Sequence, residues 1–185
     1  MDEMKLFERD LIKALLDMVY NDKLITSAEQ RAIEKEYWTL AENKVEIKVG
    51  SYDSLYKDAD KVRDAVFCVE QKISAKIEKD KKDKTSTHIV LFVNSVPVST
   101  LRVFEENGEY IFGRVATLLN CRGKGYGKEV MLALHKYAKE KGIDKLTCHA
   151  QETAKDFYLK LGYKIEGKPF YEAGIKHYMM SYAVL

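Results

Sequence analysis

No apolar run in the 185-residue chain approaches the roughly 18 residues that a membrane-spanning helix requires. The N-terminus is acidic and amphipathic, not a basic stretch leading into a signal-peptide core, so the expected location is the cytoplasm, with no membrane partner. Cysteine is scarce as well. Cys68, Cys121 and Cys148 lie far apart and form no C-x-x-C, which argues against a disulfide framework and against a thiolate metal site. His88, His135, His149 and His177 show neither H-x-x-x-H nor H-E-x-x-H spacing, so no metal centre is expected. An excess of one charge is missing too: 31 basic against 29 acidic side chains leave +2, too little to announce a nucleic acid or an anionic membrane as partner. What remains is a globular composition, 46% apolar and 32% charged, in a chain long enough for one cored domain and an appendage.

From Glu3 to Tyr20 the apolar residues Phe7, Leu11, Ala14, Leu15, Met18 and Val19 recur at spacings of three and four, which predicts an amphipathic helix. Asn21 and Asp22 break it, and either Thr26 with Glu29 or Ser27 with Gln30 can cap a second helix running to about Ala41. Residues 1–44 therefore read as a helical hairpin. Leu6, Leu16 and Trp38 add apolar surface to it, as a docking element would.

A second unit, residues 45–185, begins with a strand over Val45 to Val49 and a helix carrying Leu55, Ala59, Val62, Val66 and Val69. Lys72 to Lys84 holds six lysines among Glu78, Asp80 and Asp83 and reads as a solvated loop. Strands follow over Thr87 to Val93, Val96 to Phe104 and Tyr110 to Leu118, joined by Asn94-Ser95 and Asn107-Gly108 turns. Val130, Met131, Leu134, Tyr137 and Ala138 mark a helix ended by Gly142, and Leu146 to His149 a short strand. A helix over Ala154 to Leu161 and strands around Tyr163 to Ile165 and Lys176 to Val184 complete a mixed α/β, or α+β, unit.

The richest chemical signal is Arg122-Gly123-Lys124-Gly125-Tyr126-Gly127-Lys128, between a strand and a helix. Glycines let backbone N–H groups close on a bulky anion, a helix N-terminus adds partial positive charge, and Arg122, Lys124 and Lys128 add full charges. A pyrophosphate fits. The Walker loop does not, because Glu129 follows Lys128; nor does the dinucleotide fingerprint, because the glycines read G-x-G-x-G.

Arg122, Gly125 and Gly127 spell R-x-x-G-x-G, which resembles the acetyl-CoA loop of the GNAT superfamily of N-acetyltransferases. Gly113 to Thr117 resembles that family's fourth strand, and Gln151, Ala154, Phe157, Tyr158, Lys160, Leu161, Gly162 and Tyr163 resemble its A-x-x-F-Y-x-K-L-G-[FY] helix. Val66-Phe67-Cys68-Val69-Glu70-Gln71, Glu78, Asp80 and Asp83 before His88, His149-Ala150-Gln151, and the ending Phe170, Glu172, Gly174, Ile175, His177 are similar to a small bacterial subgroup of it. The hairpin lies outside that likeness.

The resemblance implies a mostly antiparallel sheet flanked by helices and direct acetyl transfer from acetyl-CoA to a primary amine in a ternary complex. It implies that Val115, Ala116 and Thr117 position the thioester through their backbone. It places the cofactor along residues Arg122 to Lys128 and on Gln151, Ala154 and Phe157, and makes Tyr158 the acid that protonates the sulfur. A carboxylate used by some relatives in the fourth strand is replaced here by Ile111, Phe112 and Gly113. Glu172 and His177, with Glu70 and Glu109, are the remaining candidates for the base. Arg102 and Arg114, alternating with apolar residues, face either solvent or a substrate carboxylate. The acceptor is unidentified, a small molecule being expected ahead of a protein or aminoacyl-tRNA amine. A homodimer follows from fold analogy alone, and the alternative function is a non-catalytic acyl-CoA-sensing module that uses the hairpin.

Overall fold

A computed structural model describes residues 13–40, 44–172 and 174–184, and for residues 34–40 the backbone only. The chain divides into two compact units, one reaching to Glu46 and including the turn Val93–Val96, the other comprising Ile47–Phe92 and Pro97–Leu185. In the first unit, helix α1 occupies residues 13–21 and α2 occupies Ser27–Leu40. Of the two caps open to α2, Thr26 with Glu29 forms: the Thr26 N–H donates to Glu29 Oε2 at 2.8 Å and the Glu29 N–H to Thr26 Oγ1 at 3.2 Å. Leu6, Phe7, Leu11 and the Trp38 side chain lie outside the described residues.

The second unit is built on a seven-stranded sheet of order β1-β2-β3-β4-β5-β7-β6. Its strands are β1 (Val45–Gly50), β2 (Thr87–Val93), β3 (Val96–Glu106), β4 (Glu109–Thr117), β5 (Lys145–Gln151), β6 (Lys164–Glu172) and β7 (Ile175–Ala183). β3/β4, β5/β7 and β6/β7 pair antiparallel, and β4/β5 is parallel. Both turns foreseen between β2, β3 and β4 form, with Asn94, Ser95, Asn107 and Gly108 at positive φ as a two-residue hairpin demands. β2 is buried on successive residues from His88 to Phe92, so both of its faces are covered. On one side lies α3 (Tyr52–Arg63), whose Leu55 and Ala59 pack with Val90 and Phe92. α5 (Tyr126–Glu140) buries Val130, Met131, Leu134 and Ala138 in the core, its larger side chains contributing about 1.5–3 kcal/mol each.

α3 does not continue as an ordinary helix to Val69. It loosens into a π-helical segment, Asp64–Glu70, whose Val66 and Phe67 pack with Val62 and Ala116. The sheet is also longer at its edge than the sequence pattern suggests. β6 runs to Glu172 rather than ending near Ile165, and its mostly exposed side chains carry no buried periodicity to read.

The lysine-rich stretch 72–84 is not simply a solvated loop. It forms a short helix α4 (Ala75–Glu78) and a 3-10 turn, Lys81–Thr85. Five of its lysines are exposed, yet Glu78 and Asp83 point inward and are each only 2% exposed. Arg63 Nε donates to Glu78 Oε1 at 2.6 Å and Arg63 Nη1 to Asp83 Oδ1 at 2.7 Å. Arg102 donates through Nη1 to Asp83 at 2.6 Å and through Nη2 to Asp80 at 2.6 Å. The expectation that Arg102 faces solvent or substrate is thereby corrected: its guanidinium is buried and committed to two carboxylates.

Such a network destabilises strongly when one partner is lost, because the others stay buried without compensation. Arg63→Met, which keeps the volume and removes the charge, should cost about 3–5 kcal/mol in urea-induced unfolding; a loss below 1 kcal/mol would show that Arg102 alone balances the pocket. The pH dependence follows from the same groups. Burial lowers the pKa of His88 and of His135, so below about pH 6.5 the unfolded chain takes up protons that the fold refuses, and stability begins to fall. Burial pushes Asp80 and Asp83 up, but hydrogen bonds from Arg102, and from Arg63 to Asp83, outweigh it and leave both lowered. Their contribution is present above about pH 3.9 and disappears below it. Unfolding midpoints measured from pH 7 to pH 3 should therefore decline in two stages.

Candidate functional site

β4 and β5 are paired at only two positions, Tyr110 with Leu146 and Ile111 with Thr147. β4 continues to Thr117 and β5 to Gln151, so the two strands part beyond that point. A cleft of about 940 Å³ has walls from both strands. The cause of the parting is local. Opposite β3 the register passes from Thr100–Ala116 to Arg102–Gly113, which inserts one extra residue in β4, and Arg114 takes φ 54°. A side chain in that left-handed region costs about 1–2 kcal/mol. The Arg114 guanidinium is anchored in return. Its Nε and Nη2 donate to the Glu78 carbonyl at 3.0 and 2.9 Å, and Nη2 also reaches the Ile77 carbonyl at 3.2 Å and Asp80 at 3.3 Å. Arg114 is therefore not free in solvent: Nε and Nη2 are committed to the Ile77 and Glu78 carbonyls and Asp80, while the side chain, 28% exposed, lines the cleft.

Every cofactor or catalytic residue singled out from the sequence lines this cleft except Lys124: Val115, Ala116, Thr117, Arg122, Gly123, Gly125, Tyr126, Gly127, Lys128, Gln151, Ala154, Phe157, Tyr158, Glu172 and His177. The other two candidates for a base, Glu70 and Glu109, do not. At one end is the glycine-rich turn. Gly125, at φ 86°, is the residue from which α5 starts, a conformation most side chains resist. At Gly127 a Cβ would stand 3.3 Å from Thr117 Oγ1 and 3.7 Å from the Phe157 ring, so the first turn of α5 sits close against the end of β4. The first N–H groups of α5 have no acceptor within the helix, and its positive dipole end lies at the cleft.

Arg122 is paired within the chain: Nη1 and Nη2 donate to Glu70 at 2.9 and 2.7 Å, and Nε donates to the Thr117 carbonyl at 3.0 Å. The Arg122 hydrogen bond holds the Glu70 carboxyl below its ordinary range. Next to it, Gln151 Nε2 donates to Gln71 Oε1 at 3.3 Å. The Glu70-Gln71 pair at the end of the π segment thus contacts both the glycine-rich turn and the end of β5.

Alternation along the strands sorts the remaining groups. The registers Ile111–Thr147, Gln151–His177, Phe170–His177 and Glu172–Ile175 put His149, Gln151, Phe170, Glu172 and His177 on one face of the sheet. There His149 Nδ1 lies 3.0 Å from Glu172 Oε2, the edge of one ring meets the other where Phe170 packs on His149 at 4.9 Å, and His177 Nδ1 donates to the Ile175 carbonyl at 2.8 Å. Tyr158, from α6 (Lys155–Lys160), lies among Phe112, Phe157 and Tyr163 and is 6% exposed. Burial, with a smaller contribution from Cys148, pushes its hydroxyl well above the usual phenol range. The Cys148 thiol is itself pushed up to about 12 by burial, which leaves it no nucleophilic role at neutral pH.

Sequence reasoning missed the pairing of His149 with Glu172. Its one signal was that both residues sit in the motifs shared with the bacterial subgroup; the pairing itself depends on β6 and β7 returning beside β5. Among the described residues no group of three or more His, Cys, Asp or Glu could hold a metal ion, and no helix is long and apolar enough to cross a membrane.

The acetyltransferase (GNAT) domain family model matches residues 40–184. An uncharacterized N-acetyltransferase of Bacillus subtilis, YjcF, is 37% identical over 125 residues, covering 67% of this chain and 89% of its own. The crystal structure of a Lactobacillus plantarum protein described as an N-acetyltransferase superposes with TM-score 0.73 at 31% identity, over 77% of this chain and all of that one. The PaiA N-acetyltransferase of Thermoplasma acidophilum, crystallised with coenzyme A, shares the fold at TM-score 0.59 and 18% identity, over 76% of this chain and 99% of that one.

If β4 keeps its bulge when the Arg114 guanidinium is removed, Arg114→Ala should lose more stability than Arg114→Gly, since glycine adopts the left-handed backbone freely. A gap of about 1 kcal/mol between the two variants in urea unfolding is the expected result. Equal midpoints would mean that the bulge relaxes once the guanidinium is removed.

Proposed function

We propose, for a chain that belongs to the GNAT acetyltransferase family and is an acyltransferase, that acetyl-CoA is its donor and a primary amine its acceptor, with the acetyl group passing directly between them in a ternary complex. The observation that carries this reading is the cleft at the parting of β4 and β5, with the N-terminus of α5 at one end and the Tyr158 phenol in its wall. The coenzyme A found in the Thermoplasma relative of the same fold supports the choice of donor.

The residues present suit such a donor. Free N–H groups at the start of α5 bind a pyrophosphate, and Lys128 adds charge nearby. Arg122, braced by Glu70, contributes a positioned guanidinium more than a free positive charge. Beyond the last β4/β5 pair, the backbone of Val115 to Thr117 is left without a partner in β5 and can hold an extended amide-bearing arm, with Ala154 and Phe157 as its apolar wall. Acetyl-CoA supplies an acetyl group activated as a thioester. Tyr158 stays protonated because burial disfavours its anion, so an O–H is present to meet the departing sulfur throughout the neutral range.

Calorimetric titration with acetyl-CoA tests the donor. We expect binding by the wild type and its loss in an Arg122→Ala, Gly125→Glu double variant that folds normally. Tyr158→Phe should bind acetyl-CoA unchanged while its kcat falls roughly 100-fold or more. A folded wild type that does not bind acetyl-CoA would overturn the proposal, and undiminished turnover in Tyr158→Phe would remove the phenol from the chemistry.

A further inference from the structure

The sheet face beyond the donor groove holds a carboxylate-imidazole pair that neither the family membership nor the glycine-rich turn accounts for. His149 stands on β5 two residues past Thr147, the last to pair with β4, so it lies where the strands begin to part. Its Nδ1 lies 3.0 Å from Glu172 Oε2, and a carboxylate accepts, so the hydrogen resides on Nδ1 and the Nε2 lone pair is left free. The imidazole is 43% exposed in side chain and lines the cleft, while the edge contact with Phe170 limits its rotation. His177, the other imidazole on this face, is nearly buried and its Nδ1 is occupied by the Ile175 carbonyl. The nearby charges on β7 and after β5 are engaged elsewhere, since Lys176 pairs with Glu152, which also accepts from Tyr178.

The rest of this half of the cleft is defined by what its cations are doing. Lys82 pairs with Glu106 at 2.8 Å and lies over the Phe104 ring; Arg102 and Arg114 are committed to Asp80, Asp83 and the Glu78 carbonyl. A substrate carboxylate or phosphate would here have to compete with Glu106 for Lys82 and with Asp80 and the Glu78 carbonyl for Arg114, whereas Ile73, Phe104, Ile111 and Ile175 offer apolar wall. Resting on the transferase reading above, we infer that the acceptor is a primary amine on an apolar, non-acidic body, and that His149, oriented by Glu172, is the base that deprotonates it.

The step balances as follows. His149 Nε2 removes one proton from the substrate ammonium and releases it to solvent. The freed nitrogen lone pair forms the C–N bond at the thioester carbonyl carbon. The C–S bond then breaks with its electron pair on sulfur, which takes the Tyr158 proton, and the phenolate recovers a proton from the new, still protonated amide nitrogen. The products are the amide, the free thiol and one proton in solution. Glu172 is a positioning residue here: it fixes the tautomer and supports the imidazolium.

The test uses the full chain with acetyl-CoA and phenethylamine, following thiol release. The wild type should turn over. His149→Ala should bind acetyl-CoA normally by calorimetry yet lose roughly 100-fold in kcat/KM for the amine, and added imidazole should restore a large part of it. Glu172→Gln, which no longer fixes the imidazole tautomer, should lower kcat for the amine while leaving its KM and the acetyl-CoA affinity unchanged. A His149→Ala variant that keeps its rate, or a rescuable loss found in His177→Gln instead, overturns the assignment of the base and leaves the transferase reading standing. Thiol release with L-glutamate but not with phenethylamine overturns the acceptor class. A wild type that fails to bind acetyl-CoA counts against the transferase reading itself.

Discussion

Two buried guanidiniums facing three carboxylates are the constraint on which the site depends. Arg63 and Arg102 can leave water only if Glu78, Asp80 and Asp83 meet them, and those carboxylates come from a segment with little apolar content of its own. Charge pairing, more than hydrophobic burial, folds residues 75–85 onto the sheet. Once the segment is in place, the Ile77 and Glu78 carbonyls hold the Arg114 side chain, and Arg114 is the extra residue that bends β4 away from β5. The cleft is thus opened by a bulge that an ion network braces from the side.

The two ends of that cleft have different physical characters. Near α5 the polar groups are backbone N–H donors at a helix start, which do not titrate and suit an anion by geometry. On the opposite side are ionisable side chains, His149 paired with Glu172, and His177 bonded to the Ile175 carbonyl. Tyr158 stands in the apolar wall, kept protonated by the packing that also pushes up Cys148. The π-helical segment touches both regions through Glu70 on Arg122 and Gln71 on Gln151.

Much of this was legible along the chain. The glycine-rich turn announced an anion site because φ preferences and helix ends are local properties, and alternation located β2, β3 and β4 within a few residues. The lysine-rich stretch misled because composition reports the exposed majority: its lysines do face water, and the buried Glu78 and Asp83 look the same in a sequence as solvated acids. Arg102 and Arg114 misled for the same reason, since a strand arginine carries no mark of the partner that neutralises it.

Sequence alone determined the order of elements, the turn chemistry at Asn94-Ser95 and Asn107-Gly108 and the helix start at Gly125, all of which follow from propensities read over a few neighbouring positions; the residues that line the cleft came from resemblance to a family, not from propensity. Only the tertiary structure decided which charges are buried, that β4 bulges at Arg114, that Arg122 rests on Glu70, and that His149 meets Glu172. Each of those contacts joins residues 15 or more apart in the chain, as the 15-residue step from Arg63 to Glu78 and the 23-residue step from His149 to Glu172 illustrate. Strand order and register bring such groups together, and these are set by the packing of the whole sheet.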